Sequence, residues 1–145
     1  MVQGYPPRVE KVVTRQRCEM IEITSLVQAA VKSARVKTGF VIVFVTHTTA
    51  GITINENADP DVKHDLLAKL EAMIPKDEPY YRHGEGNSDS HLKASMMGSS
   101  VTILVERGKL QLGTWQGVQF CEFDGPRERE VLIKVINLDP RGELD

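Results

Sequence analysis

Val27, Ala30, Val31 and Ala34 recur at i, i+3, i+4 and i+7, which places four apolar side chains on one stripe of a helix. Thr24 or Ser25 can cap that helix with a hydroxyl, and Gly39 is a plausible stop. Before it, Val9 to Ile23 holds short alternations, with Glu19, Ile21 and Ile23 on one face, and predicts one or two strands. After it, Phe40 to Val45 is aromatic and β-branched, too short for a helix and apolar on both faces. It predicts a central strand covered on both sides. Gly51 allows a turn, and Ile52 and Ile54 begin another extended piece.

Asp59-Pro60 predicts a helix start, Asp59 as the cap and Pro60 at the first helical position, where no N–H is needed. Val62, Leu66, Leu70 and Met73 form its stripe, and Pro75 ends it. Residues 76–90 are polar, rich in Gly, Ser and Asn, and aperiodic, so they read as a functional or mobile loop. A short helix follows from about Ser90 to Met97, with Gly98 as its stop. Val101, Ile103 and Val105 alternate as a strand, Gly108 marks a turn, and Leu110 and Leu112 alternate next. Val118, Phe120 and Phe123 follow, and Val131 to Ile136 closes the chain as a last strand. The pattern predicts one α+β domain over residues 1–145, a mostly antiparallel sheet with two to three helices packed on one side.

Composition narrows the function classes. The chain has 145 residues, 41% apolar and 26% charged, enough to bury a core without disulfides or structural metal. Eighteen Lys plus Arg against 20 Asp plus Glu give a net charge of −2, which weakens the case for a dedicated nucleic-acid binder. The longest apolar run, Phe40 to Val45, is far shorter than the roughly 18 residues a membrane span needs. No apolar segment near the start resembles a signal peptide, so the expected location is the cytoplasm. Cys18 and Cys121 lie far apart and predict free thiols.

Chemistry-bearing residues gather in a few places. Thr46-His47-Thr48-Thr49 stands where the most hydrophobic strand turns polar. His47 there can ligate a metal or move protons, and on this segment alone a His satisfied by neighbouring hydroxyls is the simpler reading. Asn55-Glu56-Asn57 precedes a helix N-terminus, a place that attracts anions. His83, Asn87, Asp89, His91 and Lys93 crowd a loop-to-helix junction. Two of the four histidines fall there, and a third distant His would complete a zinc-type set. From spacing alone, a solvated loop is the simpler account. Trp115, between Gly113 and Gly117, can stack on a flat ligand, and a core Trp at a bulge is the commoner case. Arg127 or Arg129 can hold a phosphate, with surface ion pairs the simpler reading.

Three stretches carry a resemblance. THTTAGITINENADPDV (46–62), HGEGNSDSHLKASMMG (83–98) and GKLQLGTWQGVQFCEFDGPRERE (108–130) resemble the signature blocks of the YjbQ family, and the likeness runs from about residue 10 to 137. The resemblance implies a compact α+β fold and a homotrimer. For some members it also implies a weak, secondary thiamine-phosphate-synthase-like transferase activity. That reaction joins a pyrimidine-methyl diphosphate to a thiazole phosphate and releases pyrophosphate. On the matching positions, His47, His83 and His91 are expected to converge on a divalent ion, zinc or magnesium. Glu56, Asp89 and Lys93 are expected to act in catalysis. Thr48, Thr49, Asn55, Asn87, Trp115 and Gln116 are expected to line the binding site for a small phosphorylated molecule. The alternative is a non-catalytic trimer that binds a metal or phosphometabolite.

Overall fold

The computed structural model describes residues 2–139 and 141. In chain order the elements are β1 (Gln3–Gly4), β2 (Arg8–Val13), β3 (Glu19–Glu22), α1 (Thr24–Ala34), β4 (Thr38–Val45), β5 (Ala50–Glu56), α2 (Pro60–Met73), α3 (Ser88–Met97), β6 (Ser100–Glu106), β7 (Lys109–Leu110), β8 (Gln116–Glu122) and β9 (Glu128–Asn137). The fold is α+β with antiparallel pairing throughout.

The strands divide between two sheets. One has six strands, in the order β1-β9-β4-β6-β7, with β2 also paired to β9. The other has three, in the order β3-β8-β5. Val41 and Val43 of β4, Ile133 of β9, Phe120 of β8, Ile52 of β5 and Val27 and Val31 of α1 share one core between the sheets. A second, smaller core lies on the outer face of the three-stranded sheet. There Met20, Cys121 and Phe123 pack against Leu70 of α2 and Ala94 of α3. Helices α2 and α3 thus cover the small sheet, and α1 closes the main core.

Local chemistry explains several boundaries. Asp59 caps α2, its carboxylate accepting from the Asp61 N–H at 2.9 Å, and Pro60 opens the helix as expected. The start of α1 differs from the reading. Neither Thr24 nor Ser25 caps it, and Thr24 Oγ1 instead accepts from the Val118 N–H of β8 at 2.9 Å. The stop differs as well. The helix ends at Arg35 in a left-handed conformation, and Gly39 lies inside β4, where a Cβ would sit 1.9 Å from the Ile136 carbonyl oxygen. Close approach of β9, not helix termination, requires that glycine.

The central strand is covered on one face only. Val41, Val43 and Val45 are buried, while Phe44 of the other face is 41% exposed. Leu104 of β6 and Val9 of β2 are exposed on that outer face too, because no helix or sheet among the described residues crosses it.

Candidate functional site

Beyond the end of β4, the Thr48-Thr49 turn meets the loop before α3 and the turn at Asp124–Arg127. Between them is a polar cleft of about 480 Å³. Arg17, Lys76 and Arg127 bring three cations to it, and Thr48, Thr49, Asn87 and His91 bring hydrogen-bonding groups. Glu85 and Asp124 also line it. Asn87 sits at the N-cap of α3 and donates through Nδ2 to Asp124 Oδ2 at 2.9 Å, while its Oδ1 is buried without a partner. Arg127 is tied to the same Asp124 carboxylate at 3.0 Å.

Buried charges fix the walls. Asp89, fully buried in the first turn of α3, accepts two parallel bonds from Arg17 and a third from Lys93 Nζ at 3.1 Å. Lys93, one turn further on, also donates to Glu71 of α2 at 2.7 Å. Burial opposes the charge on Asp89, but its bonds to Arg17 and Lys93 outweigh that and hold the carboxyl below its ordinary value. Burial likewise opposes the charge on Lys93, and Glu71 and Asp89 raise it above the ordinary value. Both groups are therefore charged at neutral pH, and neither lines the cleft.

A second buried pair stands behind the threonines. Arg129 and Glu122 are both buried and bonded to each other. Arg129 Nη2 also donates to Thr49 Oγ1 at 2.9 Å, and Thr14 donates to Glu122 at 2.7 Å. Burial opposes the Glu122 charge, and Arg129 and Thr14 more than offset it, leaving the carboxyl below its ordinary value. Thr49 is thus oriented by a fixed guanidinium.

Helix α3 lies tightly on β5 because residue 51 is glycine. A Cβ there would meet the Gly98 carbonyl oxygen at 2.8 Å and Met97 Cβ at 2.9 Å. Ser90 ties the helix down from the other side, donating to the Phe123 carbonyl at 2.6 Å. That serine has a structural job which its sequence context did not suggest.

His91 is the meeting point of three hollows. It lines the polar cleft, an aromatic hollow of about 600 Å³ with Tyr80, Tyr81, His83 and Leu92, and a cavity of about 490 Å³ shared with His47 and Thr48. His83 and His91 meet edge to face with ring centroids 5.4 Å apart. His47 accepts the Glu130 N–H through Nε2 at 2.9 Å, so that lone pair is already used. Burial, with Arg129 nearby, pushes its pKa below the ordinary value and keeps the ring neutral. Among the described residues, no group of three or more His, Cys, Asp or Glu side chains is placed to hold a metal ion. Within one chain His83 and His91 face each other while His47 is turned to Glu130, so the three rings do not form one cluster.

The NEN and GTWQ residues lie elsewhere. Thr49 precedes β5 and Glu56 ends it, a separation of about 23 Å at ~3.3 Å per residue. Asn55, Glu56, Trp115 and Gln116 line neither the cleft nor the aromatic hollow. Asn55 Oδ1 accepts from the Glu56 N–H at 2.7 Å at the end of β5, and Gln116 Oε1 accepts from the Gly113 N–H at 2.8 Å, so each is engaged locally. Trp115 is 62% exposed and not a core residue. Of the expected residues, Thr48, Thr49, Asn87 and His91 come together. Arg17 and Lys76 were missed: one sits in the break between two strands, the other just past a helix stop, and neither position carries a signal.

Residues 9–138 match the family model described as UPF0047 protein YjbQ-like. The chain belongs to the YjbQ/UPF0047 family. Among YjbQ/UPF0047 relatives, it is 51% identical over 126 residues to a UPF0047 protein of Methanocaldococcus jannaschii, covering 87% of this chain and 91% of that one. It is 48% identical to UPF0047 protein YugU of Bacillus subtilis, covering 87% and 96%. The crystal structure of an uncharacterized yjbq/upf0047 family protein from Clostridium acetobutylicum superposes with a TM-score of 0.87 at 53% identity, over 88% of this chain and 98% of that one. A YbjQ-like protein of unknown function from Sulfolobus solfataricus gives 0.89 at 30% identity, over 94% and 99%.

Proposed function

We propose that the polar cleft holds the phosphate groups of a small phosphorylated molecule whose aromatic part lies in the adjoining hollow, and that the YjbQ/UPF0047 chain uses it for a thiamine-phosphate-synthase-like transfer. One observation carries this reading. A cleft with Arg17, Lys76 and Arg127 shares His91 with a hollow walled by Tyr80, Tyr81 and His83. Cations favour a diphosphate, and aromatic walls favour a flat heterocycle.

The chemistry follows from that division. The bond between the pyrimidine methyl carbon and the diphosphate oxygen breaks, and its electron pair leaves with the diphosphate. The lone pair of the thiazole nitrogen forms the new C–N bond, and no proton moves in that step. Arg17, Lys76 and Arg127 meet the charge gathering on the leaving group, and fixed groups do this without reorganising. Asp89 and Lys93 act as positioning residues that hold Arg17, and Arg129 positions Thr49.

The exposed face of the six-stranded sheet supports a homotrimer. Phe40 stands between Leu104 and Ile136, and Phe44 beside Leu132, which pairs with Val9. Phe40, Ile42 and Phe44 form an apolar column bordered by Thr102 and Lys134, and an exposed apolar patch of this kind marks a contact surface. Light scattering should give three times the 16.2 kDa chain mass, and Phe44→Lys with Leu104→Lys should lower it.

The test of the reaction is product formation from the two synthetic substrates. Turnover above a protein-free control, reduced at least tenfold in kcat/KM by Lys76→Gln with Arg127→Gln, is the expected result. No turnover with retained pyrophosphate binding would replace the transferase by a non-catalytic phosphometabolite binder.

A further inference from the structure

At the other end of β4 lies a second hollow, of about 410 Å³, formed by the C-terminal end of α1 and the β6–β7 hairpin. Five of its lining residues are Lys32, Arg35, Lys37, Arg107 and Lys109, and none is acidic. Elsewhere cations pair readily: Arg8 with Glu10, Lys11 with Glu128, Arg17 with Asp89 and Arg127 with Asp124. Among the described residues, the five around this hollow form no ion pair. In a chain of net charge −2, such a concentration is a local excess that the overall balance conceals.

The backbone adds an independent observation. Arg35 and Arg107 have φ of 57° and 52°, and are the non-glycine residues with positive φ among those described. Arg35 follows the last residue of α1, a position where Gly or Asn is usual. Arg107 precedes Gly108, with φ of 73°, in a two-residue hairpin where Asn-Gly would be the favoured pair. At both places the chain carries an arginine where turn chemistry prefers a small residue. A cation at the end of α1 also meets the negative end of the helix dipole, which accounts for Lys32 and Arg35 in part. It does not account for Lys37, Arg107 and Lys109, which come from β-structure and its turns.

The walls are built rather than accidental. Gln28 of α1 clasps the hairpin with both ends of its amide: Nε2 donates to the Gly108 carbonyl at 3.0 Å, and Oε1 accepts from the Leu110 N–H at 3.1 Å. The Gly108 N–H donates to the Lys37 carbonyl at 3.0 Å. These bonds fix the spacing of the three backbone segments that carry the cations.

We propose that this hollow is a binding site for a small molecule carrying several phosphate groups, separate from the polar cleft. Beta-strand β4 separates the two by eight residues, about 26 Å at ~3.3 Å per residue. The lining offers Val31 and Val36 but no aromatic ring, so nothing there stacks a base. Recognition is by charge, and it favours a compact polyphosphate over single-stranded nucleic acid. Affinity should weaken steeply with salt, since the cations are exposed.

Calorimetric titration of the 145-residue chain with inorganic tripolyphosphate, in a Lys76→Gln, Arg127→Gln background so that the cleft does not contribute, tests this. The informative variant is Arg35→Asn with Arg107→Asn, because Asn tolerates left-handed backbone and the turns survive the change. The expected result is at least tenfold weaker tripolyphosphate binding with an unchanged or higher Tm. A Lys32→Gln, Lys109→Gln variant, which leaves both turns untouched, should show a similar loss. Unchanged affinity in both variants would overturn the site. Tighter binding of an oligonucleotide than of tripolyphosphate, lost in the same variants, would overturn the small-molecule assignment.

Discussion

Arg17 grips Asp89 across 72 residues of chain through two parallel bonds, Nη1 to Oδ2 at 3.0 Å and Nη2 to Oδ1 at 2.9 Å. This geometry holds a guanidinium at the cleft while its carboxylate partner stays buried beneath. Asp89→Asn should therefore do two things. It should cost about 3 kcal/mol in urea unfolding, because it breaks a buried network. It should also weaken pyrophosphate binding, because Arg17 loses its anchor. A stable variant with unchanged affinity would show that Arg17 needs no such support.

Arg129 and Glu122 form the other buried pair, and removing one partner strands the other. Arg129→Met should cost about 3–5 kcal/mol. Glu122→Gln combined with Arg129→Met should cost less than the sum of the two single changes, since no bare charge is left buried. A double-mutant cycle on urea midpoints measures that coupling, and strict additivity would contradict it.

Acid should weaken the fold in two stages. His47 has a folded pKa below its ordinary value of 6.5, so the unfolded chain takes up a proton first as pH falls. Its contribution is complete above about pH 6.5 and declines as pH drops toward the folded value. Asp89 and Glu122 have folded values below 3.8 and 4.5, so their contribution is present above those values and is lost as pH falls through the folded ones. Urea midpoints at about pH 7, 5.5 and 3.5 separate the stages. His47→Gln should flatten the first interval and leave the second.

Gly51→Ala should lift α3 from β5, since its Cβ would meet backbone at the Gly98 carbonyl. The expected cost is about 1–3 kcal/mol. Because α3 carries His91 and follows Asn87, pyrophosphate affinity should fall with it. Stability and affinity equal to the parent would mean that the contact relaxes freely.

Much of this architecture was legible where local chemistry decides the outcome. The cap at Asp59, the proline at 60, the stripe of α1 and the strand at Phe40–Val45 each rest on a short window of sequence. The division into two sheets was not legible, because pairing such as Gly39 with Asn137 joins residues far apart in the chain. For the same reason Thr24 looked like a cap, while its hydroxyl serves the amide of Val118. The candidate site divides similarly. Thr48, Thr49, Asn87 and His91 fall together, but Glu56 and Trp115, which share the signature blocks, are carried to another part of the chain. Arg17 and Lys76 lack any local pattern, and only the fold brings them to the cleft.

The central claim is that the cleft at Arg17, Lys76 and Arg127 binds phosphate groups. Calorimetric titration with inorganic pyrophosphate, on the parent chain and on Lys76→Gln with Arg127→Gln, tests it most directly. The account predicts one saturable cleft site per chain, at least tenfold weaker in the double variant and unchanged by Glu56→Gln or Trp115→Ala. Equal affinity in the parent and the Lys76, Arg127 double variant would contradict it.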